Sequence, residues 1–198
     1  ESQNLVLIDL ILQWAMVFYY RGDFYGIVDL LLSNQIIAES ISDKEQLGMY
    51  YAWMGWGIFQ SFPTPKEFQK DNSNATQLSL TYLEKAYKFS KNGGSQKVAC
   101  YARTWSSWLL ADMGDLNKGI EYGQEAQKIA QAISSDQYLF YKSLAGIGWN
   151  YIMMGHPNKC ISIGKELINY GHEHSHPRCL AMGYWTEAAG YLYAGDYK

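Results

Sequence analysis

Four glycines punctuate this chain where a helix must stop: Gly22, Gly114, Gly155 and Gly195. Three are followed by aspartate, as Gly22-Asp23, Gly114-Asp115 and Gly195-Asp196, and the remaining one opens Gly155-His156-Pro157. Glycine takes the left-handed backbone that closes a helix, and a following aspartate can cap the next helix through its carboxylate. Pro157 serves the same turn differently, because the first turn of a helix loses little from a missing N–H. The last three glycines stand 41 and 40 residues apart. A period of that size, with no competing strand pattern, restricts the chain to a row of helix pairs.

Seven residues before these glycines stand Ala15, Ser107, Gly148 and Ala188, all small; four before them stand Phe18, Leu110, Tyr151 and Tyr191, all large. One helix face is thus notched where two helices cross and filled one turn later. Gly22 and Gly114 are 92 positions apart, which exceeds two periods and requires an insertion. Trp53-x-x-Trp56 matches Trp105-x-x-Trp108 at an offset of 52, whereas the run from Tyr82 to Ala86 matches that from Tyr122 to Ala126 at 40. The extra residues therefore fall at 62–74, which holds Pro63 and Pro65, and Gly55 and Ile58 become the small and large residues of that unit.

The pattern predicts helices over 4–21, 24–40, 44–61, 75–92, 95–113, 116–133, 136–154, 157–173 and 178–194. Asn74 with Gln77 resembles a capping box opening the fourth. Grouped in pairs, they give a single domain of repeats at 1–42, 43–93, 94–134 and 135–175, with an incomplete one at 176–198. The chain starts without Met and stops just after a Gly-Asp turn, so it reads as part of a longer protein. Its open C-terminal end, Tyr184 to Tyr197, is a plausible dimer contact.

Composition narrows the function. A net charge of −3 and a pI near 5.8 give no basic footprint for nucleic acid. Cys100, Cys160 and Cys179 are odd in number and lack CxxC spacing, so a reducing cytoplasm fits and a disulfide framework does not. Leu5 to Tyr20 is apolar but carries Asp9 and Gln13, and it reads as a buried helix rather than a membrane span. His172, His174 and His176 with Cys179 read as a solvated loop between repeats rather than a metal site. With no phosphate-binding loop, dinucleotide fingerprint or hydrolase motif, neither an enzyme nor a cofactor is expected.

These spacings resemble the tetratricopeptide repeat, in which helix A and helix B pair around a small residue, a large residue and a Gly-Asp turn. The run from Gly114 to Tyr122 and the run from Gly123 to Ala126 resemble the family's turn and helix B. The resemblance implies an all-α fold, a right-handed superhelical stack of antiparallel helix pairs, or α-solenoid. The usual period is about 34 residues, so the units here are long, like those of kinesin light chains and of the regulatory regions of bacterial signalling ATPases, adenylate cyclases and MalT-like activators. Gly119 and Cys160 depart from the family's alanine, Gly123 and Gly164 from its aromatic residue, and Phe62 stands at a missing turn.

All seven tryptophans, Trp14, Trp53, Trp56, Trp105, Trp108, Trp149 and Trp185, fall on the first helix of a pair. In the resembling family helix A lines the concave surface, and the position after the small residue faces it; here that position is Met16, Trp56, Trp108, Trp149 or Ala189. The resemblance thus implies a groove on Trp56, Trp108 and Trp149, flanked by Tyr101, Lys142, Met153, Trp185 and Tyr193. It would hold a protein or peptide segment, or another domain of the same chain, with neither nucleic acid nor membrane as partner. Such a module would be a scaffold or regulatory region, and the alternative is a small-molecule sensor in a multidomain signalling protein. Equally, aromatic stripes at this spacing fill cores. The family's carboxylate clamp is not expected, since Lys142 is the main cation and Asp9 and Asp112 oppose it.

Overall fold

The computed structural model describes residues 2–61, 75–92, 94–133 and 137–196. Among them the chain is all-α, with no strand: α1 Ser2–Arg21, α2 Phe24–Ser33, α3 Gln35–Glu39, α4 Lys44–Gln60, α5 Ala75–Lys91, α6 Gln96–Asp112, α7 Leu116–Ile133, α8 Gln137–Met153, α9 Pro157–Glu173 and α10 Pro177–Ala194. The expected insertion at 62–74, with Phe62 and the Asn74 cap, lies outside the described residues.

The punctuating glycines do what their chemistry demands. Gly22, Gly114, Gly155 and Gly195 all have positive φ, between 69° and 80°. Each turn is closed by two backbone bonds. The Asp23 N–H reaches the Phe18 carbonyl at 2.9 Å and the Gly22 N–H that of Tyr19 at 3.1 Å; the corresponding pairs recur at Asp115, His156 and Asp196. The large residue four before each glycine therefore also supplies the carbonyl that the turn uses. Asp23 caps α2, its carboxylate accepting the Gly26 N–H at 2.8 Å. Pro157 opens α9 and Pro177 opens α10.

The second expected helix is broken at Asn34 into α2 and α3. The Asn34 side chain donates to the Leu30 carbonyl at 2.8 Å, competing with the backbone for an in-helix acceptor. The Leu31 carbonyl accepts both the Asn34 N–H, at 3.0 Å, and the buried Tyr50 hydroxyl, at 2.7 Å, which ties the end of α2 to α4.

The chain divides into two compact units, Glu1–Ala102 and Arg103–Lys198, with the divide inside α6. In the first, α4 is the central element. Tyr50, Tyr51, Trp53, Trp56 and Ile58 are buried along it, Gly57 faces the side chains of Ile27 and Val28, and Gly55 faces Leu83, with the Ser79 hydroxyl donating to the Gly55 carbonyl. In the second, Trp105 is fully buried, and Ala145, Ile147, Ile163 and Leu167 knit α8 to α9.

Two expectations are corrected. The apolar N-terminal helix is not buried: only Ile8, Ile11 and Ala15 are covered, while Val6, Leu10, Trp14 and Val17 form an exposed stripe. Among the described residues α1 packs mainly against α2, α3 and α4. With 20 residues, α1 also has the length and apolar content of a membrane-crossing helix. At the other end, Ala188 is exposed where Ala15, Ser107 and Gly148 are buried. Helix α10 turns Gly183, Thr186 and Gly190 inward instead, toward α9.

Candidate functional site

The expected site residues divide among several places. Trp108, Trp149, Trp185 and Tyr193 come together in the second unit, on α6, α8 and α10. The Trp108 and Trp149 rings lie 6.3 Å apart at 22°, and Trp185 stands 5.5 Å from each of them. Tyr193 meets Trp149 edge-on at 6.1 Å. These are attractive aromatic geometries, so the rings hold one another in place.

The cluster grades from core to surface. Trp108 packs against the Ala145, Ile147, Ile163 and Leu167 core, its Nε1 set so closely over Gly146 that a Cβ there would stand 2.8 Å away. That Nε1 is buried and receives no acceptor among the described residues. Trp149 is half-buried and donates its Nε1 hydrogen to the Asp112 carboxylate at 3.0 Å, which fixes the ring and leaves its edge accessible. Trp185 is 47% exposed and Tyr193 55%. Met153, at the end of α8, is also exposed.

Lys142 does not join the cluster. It is buried, with its ammonium 5.1 Å over the Trp105 ring and 5.8 Å from that of Tyr138, a cation held on aromatic faces. Trp56 is buried in the first unit against Phe59, at 5.6 Å. Tyr101 is in the first unit too, where it lines a cleft with Met16.

Sequence reasoning missed what supports the cluster. Asn150 follows Trp149 and is fully buried; its amide donates to the Ser107 carbonyl at 3.0 Å and to that of Gly146 at 2.9 Å, tying α6 to α8 beneath the indoles. Gly119 leaves room for the Asn150 carboxamide, and a Cβ at Gly123 would stand 2.5 Å from Ile147. At Gly164 a Cβ would stand 2.5 Å from the Glu187 backbone nitrogen, so α9 and α10 touch main chain to main chain. Gly171, Gly183 and Gly190 continue that seam, pairing with Leu180, Ile168 and Ile161 in antiparallel order. The signal was present as glycines spaced by seven in both helices. The Cys160 thiol, in place of an alanine, donates to the Thr186 carbonyl at 3.2 Å, and burial pushes its pKa up to about 12.

The histidines near the α9–α10 turn have local roles. His176 caps α10, its Nδ1 accepting the Cys179 N–H at 3.3 Å, and stacks on Tyr138. His174 packs on Tyr170, and His172 shares a hydrogen bond with the Tyr184 hydroxyl. Ser175 takes φ 50°, the left-handed conformation that glycine supplies elsewhere.

No family model matches this chain, and neither does any curated protein. Solved structures do. A signal transduction ATPase with numerous domains, carrying a tetratricopeptide repeat sensor, from Pyrococcus horikoshii is similar over 96% of this chain, with a TM-score of 0.64 and 18% identity. This chain spans 28% of that protein's length. Two crystal structures of nearly identical TPR-like repeats of a kinesin light chain type protein from Podosopora anserina are each 13% identical over 96% of this chain, with TM-scores of 0.62 and 0.61; it covers 87% and 88% of those chains.

Proposed function

We propose that this chain, whose all-α fold is that of TPR-like helical repeats, is a protein-interaction or regulatory module that holds a partner segment on the indole cluster. The observation that carries the reading is the exposure gradient from Trp108 through Trp149 to Trp185 and Tyr193. Rings braced by a core yet open at one edge lose little freedom on binding and offer large contact area, which is what interaction hot spots require. Free indole and phenol edges favour an apolar or aromatic peptide segment, or another domain of the same chain. The role is binding rather than catalysis.

A sensor reading is favoured by one observation, the tetratricopeptide repeat sensor named in the similar ATPase. Against it, the three indoles already pack on each other at 5.5 to 6.3 Å, so a flat metabolite finds no slot between them.

The test uses Trp185→Ala, an exposed member, in a peptide-display selection against the full chain. Aromatic and apolar peptides should be enriched by the native chain and lost by the variant, with the melting temperature nearly unchanged. If Trp185→Ala instead unfolds the chain, the cluster is core and the reading fails. Saturable tryptophan quenching by a metabolite, with no peptide enrichment, would replace it with the sensor reading.

A further inference from the structure

The first unit has its own concavity, formed by α1, α4 and the first turns of α6, with a volume of about 400 Å³. Its walls are apolar: Leu12 and Met16 from α1, Met49 and Trp53 from α4. Its rim is anionic. Among the described residues that line it, the carboxylates are Asp9, Asp43 and Glu45, and Lys97 is the single cation set against them.

The acceptors outnumber the donors. Asp43 is engaged as the N-cap of α4, accepting the Gln46 N–H at 2.8 Å. Asp9 accepts from the Gln13 amide through one oxygen, at 2.7 Å, and both Asp9 and Glu45 are exposed to an arriving ligand. Gln46 also lines the cleft. An acidic segment would be repelled by the rim, and a wholly apolar one would cover the Asp9 and Glu45 carboxylates with nothing to pair them.

We propose that this cleft binds a peptide segment in which arginine or lysine stands between apolar residues. The basic side chain sits between Asp9 and Glu45, where a guanidinium supplies several donors in one plane. The apolar neighbours lie on Leu12, Met16, Met49 and Trp53, and the two methionines adapt their shape to different side chains. This goes beyond the indole-cluster reading and rests on residues of the first unit alone, so either proposal can fail while the other stands.

The probe is a fluorescein-labelled pentapeptide alternating arginine and leucine, titrated with the full chain and followed by anisotropy. Saturable binding is expected, weakened about tenfold or more by Asp9→Asn combined with Glu45→Gln and weakened again as salt rises. Asp9→Glu should retain binding, and Trp185→Ala should leave it within about twofold. Unchanged binding by the double variant overturns the proposal. So does equal binding of a serine-for-leucine peptide, equal binding of spermine, or loss of binding in Trp185→Ala. If the double variant melts early, the salt series and the serine peptide on the native chain decide the question.

Discussion

Helices α4 and α10 are both first helices of a pair, both carry glycines on their packed faces, and they treat their aromatic residues in opposite ways. Along α4, Tyr50, Tyr51, Trp53 and Trp56 are at most 7% exposed. Along α10, Tyr184, Trp185 and Tyr193 are about half exposed, at 47% to 55%. The difference follows from how many neighbours cover each helix: among the described residues α4 packs mainly against α1, α2, α3 and α5, and α10 mainly against α8 and α9. Gly48 and Gly57 on α4 receive the side chains of Val98, Ile27 and Val28, and Gly55 meets the Leu83 side chain and the Ser79 carbonyl. Gly183 and Gly190 on α10 meet the side chains and backbone of Ile168 and Ile161 on α9, and the rings at 184, 185 and 193 lie off that packed face.

The largest expected effect tests burial directly. Trp56→Ala should cost about 3–5 kcal/mol, the range for emptying a large buried aromatic site, and Trp185→Ala less than about 1 kcal/mol. Urea unfolding of both variants measures the gap, and equal costs would erase the distinction between the two helices.

The glycine notches come next. Gly164→Ala should lose about 1–3 kcal/mol, because its Cβ meets the Glu187 backbone, which cannot step aside. Gly57→Ala should be close to neutral: its Cβ meets movable side-chain carbons at 3.0 and 3.1 Å, and the better helix propensity of alanine offsets the crowding. Thermal melts compare the two.

The smallest effect concerns pH. Burial raises the pKa of both Tyr50 and Tyr51, and in Tyr51 the hydrogen bond to Glu39 raises it further. The fold thus keeps both phenols neutral, while those of the unfolded chain ionise near pH 10. Their contribution is complete below about pH 10 and is lost as pH rises toward the folded-state values. Tyr50→Phe should cost about 1 kcal/mol at neutral pH by removing the bond to Leu31, and should make the alkaline decline shallower. Melting temperatures between about pH 8 and 11.5 would show it.

What could be read from the sequence was local. The Gly-Asp turns close with bonds spanning a few residues, so Gly22, Gly114, Gly155 and Gly195 declare themselves by type and spacing. The placement of every tryptophan on a first helix follows from the same register. What could not be read depends on neighbours distant in sequence. Whether Trp56 or Trp185 is buried is decided by which helix opposes it, and Lys142 finds its place on Trp105, a ring 37 positions earlier. Asn34 looked like one more helical residue until its side chain took the Leu30 carbonyl. The cleft of the first unit joins residues from Asp9 to Tyr101, which no motif connects.

Because each glycine turn is closed by main-chain atoms of its own few residues, it asks nothing of the side chains on the accessible faces of the helices it joins. Positions such as 185 and 193 can therefore be exchanged without disturbing where a helix begins or ends. Selection on what the surface binds and selection on how the chain folds act here on different atoms. A descendant of this sequence could acquire a new partner through a handful of surface changes while every turn stayed as it is.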